Sequence, residues 1–308
     1  MADDWLHDST RRAKASLIDT TVPNAARVGD YLYGGRNNFE TDRRAVRSLV
    51  TAAPAVESIV PAARAFRQRA VRFLVTERGI RQFLDIGTSR LAEAGNTHEV
   101  AQSLAPECRI VYADNDPMVV SHTRALVTST AQGAVSSLDA DVHEPWALVA
   151  EAAGTLDFRR PVAVLLLATL AFIEDIEEAA SVVESLMGAV SSGSYLALYH
   201  QASDLDPAMN AAARRWNAMS EQPVTLRSRE ELAGLLDGLG LELLPPGLVP
   251  VTDWRPAPAD PQFEYTVPVY GAVARKPLAF HFYVLTPRGG RARPGSGRRS
   301  GRARRRPG

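Results

Sequence analysis

Three aspartates stand in series along the chain, each closing an apolar run: Asp85 in RQFLDIGTS, Asp114 in RIVYADNDP and Asp141 in SSLDADV. A carboxylate at the end of a strand can accept hydrogen bonds from two ribose hydroxyls at once. Asp114, followed by Asn115, is the expected ribose partner. Asp141 suits an adenine amino group, and the backbone N–H of Val142 suits a ring nitrogen. Asp85, Gly87 and Thr88 are expected to shape a cofactor loop, with Gly87 letting the backbone pass close to a ligand. The chemistry implied is retention of an adenosine-containing cofactor. A dinucleotide fingerprint would continue G-x-G-x-x-G, but Ser89 stands where the second glycine belongs. Two phosphates need backbone N–H groups at close range. The loss therefore counts against a pyrophosphate ligand more than against a sulfonium nucleoside, which has no phosphate.

Positioning three acids on one rim requires strands that all run the same way. Apolar strand-like stretches fall near 81–86, 109–113, 135–140 and 161–167, with helical patterns at about 97–104, 117–127 and 145–153 between them. Such alternation predicts a parallel sheet with right-handed crossovers, which binds ligands outside the carboxyl ends of its strands. A helix over 175–190 leads to a fifth strand at 194–200, helices at about 207–219 and 228–238, and late strands at 241–245 and 266–274. Ser228 three residues before Glu231 is a capping box. Asp116-Pro117 supplies an N-cap and an N1 proline. Ahead of the sheet, helical patterns cover 42–53 and 55–77, and the segment 19–46 is dense in Asn, Gly, Tyr and Arg. Loops this rich in specific polar residues commonly serve sites. Arg27, Tyr31, Asn37, Asn38 and Asp42 are accordingly expected at the site.

Composition narrows the function classes. The 308 residues are 45% hydrophobic and 23% charged, ordinary for a globular protein with a sizeable core. No apolar run approaches the roughly 18–20 residues of a membrane span. The start, MADDWLHDST, carries acids where a secretory signal would be positive, which predicts a cytoplasmic protein. A single cysteine, Cys108, excludes an internal disulfide and a cysteine-cluster metal site, and the histidines show no ligand spacing, so no metal is expected. The net charge of zero hides an asymmetry: nine arginines and no acid occupy 288–308, which leaves 26 basic against 35 acidic side chains elsewhere. That tail reads as disordered, and only it suggests nucleic acid. An acidic body is a poor platform for a phosphate backbone.

The segments DTTVPNAARVGDYLYGGRNNFETDRR, GIRQFLDIGT, NTHEVAQ, IVYADNDP and YGAVARKP, in this order over 17–277, resemble the actinobacterial S-adenosylmethionine-dependent methyltransferases once grouped as a domain of unknown function. The resemblance implies an α/β class I methyltransferase fold, Rossmann-like, with a seven-stranded and mostly parallel sheet whose last strand is antiparallel. It implies S-adenosyl-L-methionine as cofactor. It also divides the chain into an N-terminal segment and helical cap over the cofactor cleft (1–78), a cofactor-binding domain (79–277) and an extension with the Arg-rich tail (278–308). Where this family has a glycine the chain has Ser89, and where it has a shorter, proline-containing loop the chain has RLAEAG. Where it often has a polar or histidine residue after the fourth strand, the chain reads ATLAF, beginning at Ala168.

Methyl transfer from a sulfonium mostly asks an enzyme to align donor and acceptor and exclude water, and a base helps only where the acceptor must lose a proton. His200, closing the fifth strand, is the expected base, and His98 in NTHE is expected to contact cofactor or substrate. The reading is a methyltransferase acting on a small-molecule acceptor. Its rival is a catalytically inactive S-adenosylmethionine- or S-adenosylhomocysteine-binding sensor, for which Ser89 and ATLAF speak. A nicotinamide-dependent dehydrogenase is disfavoured by the missing glycines, and no G-x-S-x-G or P-loop motif points to a hydrolase or kinase.

Overall fold

Four strands rich in aliphatic residues set the frame of the computed structural model, which describes residues 18–87 and 95–277. They are β1 (Gln82–Ile86), β2 (Arg109–Asp114), β3 (Ala134–Asp139) and β4 (Ala163–Leu167). Every residue of β1 and β4 is buried, as strands covered on both faces must be. β5 (Tyr195–Gln201) continues the parallel set beside β4. β8 (Val269–Arg275) then pairs antiparallel with β5, and the two-residue strands β6 (Glu242–Leu243) and β7 (Val249–Pro250) both pair with β8. The sheet order is β3-β2-β1-β4-β5-β8-β6, with β7 off this path. The path holds the expected seven strands, and β7 adds a two-residue eighth that is too short to leave an alternating pattern.

Helices cover both faces. α1 (Ala25–Leu32), α2 (Glu40–Ala52) and α3 (Val56–Thr76) precede the sheet. α4 (Thr97–Leu104), α5 (Pro117–Leu126), α6 (Pro145–Ala152) and α7 (Ile176–Ala189) cross between strands, and α8 (Ala208–Asn217) and α9 (Arg229–Gly238) follow β5. Expected caps form: Asp116 Oδ1 accepts from Met118 N at 2.8 Å, and Ser228 N donates to Glu231 Oε2 at 2.7 Å. α1 was not expected. It lies in the segment 19–46, whose Asn and Gly speak for turns, yet Asn24 caps it by accepting from Arg27 N at 3.2 Å.

Alternation along the strands separates two cores. Leu84, Ile86, Val111, Val164, Leu196 and Leu198 face α6, α7 and α9, whereas Phe83, Ile110, Tyr112, Leu165 and Ala197 pack toward α3, α4 and Trp254. A third cluster joins α1, α2 and α8 through Val28, Val46, Leu49, Met209 and Trp216. Cys108 is fully buried, and burial pushes its thiol up to about 11, which leaves it unreactive. The described residues fall within one compact unit. Among them, no single helix is long and apolar enough to cross a membrane. The Arg-rich tail lies outside the described residues.

Candidate functional site

The strand order reverses between β1 and β4, and a cleft of about 450 Å³ opens at the carboxyl ends of β1, β2 and β4. This is where a doubly wound sheet leaves room for a ligand. Gly87, Asp114, Asn115, Asp141, Val142 and Ala168 all line it. Thr88 and the segment through Ala94 lie outside the described residues.

The backbone is bare where it borders the cleft. Gly87 has φ +73°, and a Cβ there would stand 2.5 Å from Thr169 Oγ1. That hydroxyl donates to Ile86 O at 2.5 Å, tying the end of β1 to the turn after β4. Ala168 begins this turn, a 3₁₀ helix over Thr169–Phe172, in a left-handed conformation with φ 72°. Such a conformation costs a residue with a Cβ roughly 1–2 kcal/mol. Asp114 accepts from Asp116 N at 2.9 Å. Asp141 Oδ1 accepts from His143 N at 3.0 Å and meets His143 Nδ1 at 2.7 Å. Burial alone would raise the Asp141 carboxyl, but the bonds from His143 outweigh it and hold the group below the usual carboxylate range.

Asp85 stands one step back from the cleft. It is 1% exposed and accepts from Thr97 Oγ1 at 2.6 Å, which fixes the start of α4 against β1. Burial raises its carboxyl above the ordinary range, against the opposing pull of Arg67 and the Thr97 hydroxyl.

Seven expected site residues are placed elsewhere. His200 has no exposed surface: Nδ1 meets Gln201 O and Nε2 meets Arg227 Nη1, each at 2.9 Å. Burial pulls its pKa down to about 4, so it is a neutral core histidine and does not border the cleft. The physical reason is alternation, since Tyr199 and Gln201 line the cleft and His200 points to the opposite face. Arg227, itself 2% exposed, also donates to Leu170 O and Ile173 O at 2.6 Å each, pinning the 3₁₀ turn from behind. His98 is buried with its Nδ1 2.8 Å from the Tyr112 hydroxyl, also off the cleft.

The N-terminal polar residues bind one another. Arg27 Nε donates to Asp42 Oδ2 at 2.9 Å, and both side chains are buried. Asp42 also accepts from Asn24 N and Phe39 N. Asp30 Oδ2 accepts from Asn37 N at 2.9 Å and Asn38 Nδ2 at 2.6 Å. Tyr31 packs into the cluster of α1, α2 and α8. Desolvated polar groups must be paired, and this segment satisfies them internally. What α1 shows the cleft is Ala25, Ala26, Val28, Gly29 and Leu32, followed by Tyr33 just past its end. Asn24 Nδ2 reaches the rim itself, donating to Asp116 Oδ2 at 3.0 Å.

Sequence reasoning missed this wall and its partners Met209, Ala212, Trp216 and Gln201. The spacing of Met209, Ala212 and Trp216 marks one face of a helix, but not which core that face meets.

The residues fit the expected cofactor. Carboxylates stand ready for hydroxyls and an amino group, Ile86, Ala140 and Val142 supply apolar contact, and no Lys or Arg occurs among the described lining residues. That donor set suits a positively charged nucleoside without phosphate. Among the described residues no cluster of His, Cys, Asp or Glu could hold a metal ion.

Comparisons with known proteins bear on the family and the fold. A DUF574 family protein from Streptomyces avermitilis MA-4680 is 38% identical, with a TM-score of 0.80 over 85% of this chain and 100% of its own. A methyltransferase candidate from Thermobifida fusca YX is 34% identical, with a TM-score of 0.75 over 84% of this chain and 97% of its own. Among proteins with curated descriptions, none matches. The S-adenosyl methyltransferase family model matches residues 11–277, and the chain therefore belongs to that family, with a class I methyltransferase fold and S-adenosylmethionine as its cofactor.

Proposed function

We propose that the protein transfers a methyl group from S-adenosylmethionine to a small-molecule acceptor by in-line displacement. One observation carries this reading: a single cleft joins acid-bearing strand ends to an apolar helical wall. Asp114 would hold the ribose, Asp141 and the Val142 amide the adenine, and the bare backbone at Gly87 would allow close approach. When bound, S-adenosylmethionine supplies a methyl carbon made electrophilic by its sulfonium. The chain's own work is to align and to exclude water, to which the lining rings of Tyr33, Phe172 and Tyr199 would contribute. Tyr199 is no base, since burial raises its hydroxyl far above neutral pH.

A catalytically inactive, cofactor-binding role is the second reading. It is favoured by the placement of His200 in the core, which removes the expected base. Calorimetric titration with S-adenosylmethionine, S-adenosylhomocysteine and NAD tests the cofactor reading. The first two should bind and NAD should not, and Asp114→Ala should weaken binding by about tenfold to a hundredfold, as loss of a charged hydrogen-bond acceptor does. NAD binding in preference, or an indifferent Asp114→Ala, would overturn it. Conversion of S-adenosylmethionine to S-adenosylhomocysteine across a panel of acceptors separates the enzyme from the sensor.

A further inference from the structure

The half of the cleft away from Asp114 and Asp141 is built differently. Its walls are Leu49, Val56, Ile59, Met209, Ala212 and Trp216, from α2, α3 and α8. The indole N–H of Trp216 is used up in a 2.6 Å bond to Gln222 O, so the ring offers the cleft only carbon surface. Charge in the cleft is one-sided. Asp114, Asp116, Asp141 and Glu221 line it, with no Lys or Arg among the described lining residues. Asp116 is already committed to the start of α5 and to Asn24. In this apolar half a carboxylate, sulfate or phosphate would meet Glu221 and no Lys or Arg among the described lining residues, and like charges brought together in a desolvated site disfavour binding.

Against this apolar surface one polar group is left over. Gln201, at the end of β5, lines the cleft, and its Oε1 is shut off from solvent with no hydrogen-bond partner in the protein. A buried, unpaired acceptor is costly and calls for an explanation. The terminal torsion of a glutamine is broad, so the amide can turn its oxygen toward a ligand in the cleft.

We propose that this half of the cleft receives an uncharged, largely apolar small molecule, and that the Gln201 carboxamide accepts the hydrogen of its nucleophilic O–H or N–H. This inference rests on the methyltransferase reading and names its acceptor class. Gln201 orients the nucleophile and leaves a lone pair free. That lone pair forms the bond to the methyl carbon while the carbon–sulfur bond breaks, its electron pair stays on sulfur as the neutral thioether, and the methylated nucleophile, now strongly acidic, gives its proton to solvent as it leaves the cleft. A carbonyl oxygen is too weak a base to keep that proton, so Gln201 sets direction and not protonation state.

The test uses the full chain saturated with S-adenosylhomocysteine and titrated calorimetrically with 2-naphthol and with 2-naphthoate, an uncharged and an anionic ring of similar size. 2-Naphthol should bind at least about tenfold tighter. Gln201→Leu should weaken 2-naphthol by about tenfold, the loss expected for one hydrogen bond in a dry site, while S-adenosylhomocysteine affinity reports that the cleft is still folded. Equal binding of the two probes, or no binding of 2-naphthol by a chain that does bind S-adenosylhomocysteine, overturns the acceptor class. Unchanged 2-naphthol affinity in Gln201→Leu overturns the role of that residue. Should Gln201→Leu fail to fold, the preference of the wild-type chain between the two probes still decides the acceptor class. Failure to bind S-adenosylhomocysteine at all removes the methyltransferase reading, and this inference with it.

Discussion

At the strand-end rim, Asp114, Asp141 and Gly87 stand on the cleft and are held by short local contacts. In the helical wall opposite, Arg27, Asp42, Asn37 and Asn38 turn away from the cleft and bond to one another, leaving carbon surface to face it. Both regions are polar in sequence, yet only the first uses its polarity outward. The difference follows from support. A strand end is fixed by the ladder behind it, so its acids are free to face a ligand. A segment with two short helices and a Gly-Gly turn has no ladder, and its polar side chains are what fix it.

Breaking the internal bonds of the wall should give the largest effect. Asp42→Ala removes the acceptor of Asn24 N, Phe39 N and Arg27 and leaves the Arg27 charge buried. A loss of about 3–5 kcal/mol is expected, read as a lowered urea midpoint. If the comparison holds, S-adenosylhomocysteine affinity falls far less than acceptor-probe affinity. Gly87→Ala attacks the rim instead. Left-handed strain plus contact with a pinned Thr169 should cost about 2–4 kcal/mol, and here cofactor-product affinity should suffer most.

His200 sharpens the contrast through pH. Its folded pKa of about 4 lies below the ordinary 6.5, so the unfolded chain binds more protons between these values. The contribution is complete above about pH 6.5 and is lost as pH falls toward 4, with a slope of at most about 1.4 kcal/mol per pH unit. His200→Gln should flatten that slope in urea unfolding measured from pH 7 to 4. A base bordering the cleft would show a pH-dependent rate and little pH-dependent stability. The smallest effect is a gain: Ala168→Gly should relieve about 1 kcal/mol of left-handed strain, seen as a slightly raised melting temperature.

The rim could be read from sequence because an acid following an apolar run is a local pattern, and the order of strands follows from alternation with helices. Asp114, Asp141 and Gly87 needed nothing more. The wall could not be read this way. Whether Arg27 and Asn38 face a ligand or neighbouring carboxylates depends on contacts across the segment, and Trp216 joins Val28 and Leu49 from more than 160 residues away. His200 and Gln201 show the finest limit. Both close β5, and a single step of the pleat decides which side chain enters the core and which borders the cleft.

The bond between Asn24 and Asp116 has a mechanical side. One oxygen of Asp116 anchors the start of α5, while the other clasps the residue that begins the helical wall. The same stretch is clasped again where Ala25 N donates to Gln222 Oε1 and Ser220 Oγ donates to Pro23 O. All three contacts gather at Pro23, Asn24 and Ala25, so the wall is tied at this one end both to the rim and to the loop after α8. Moving this end of the wall away from the rim therefore means breaking these few contacts together, each worth about 1 kcal/mol net.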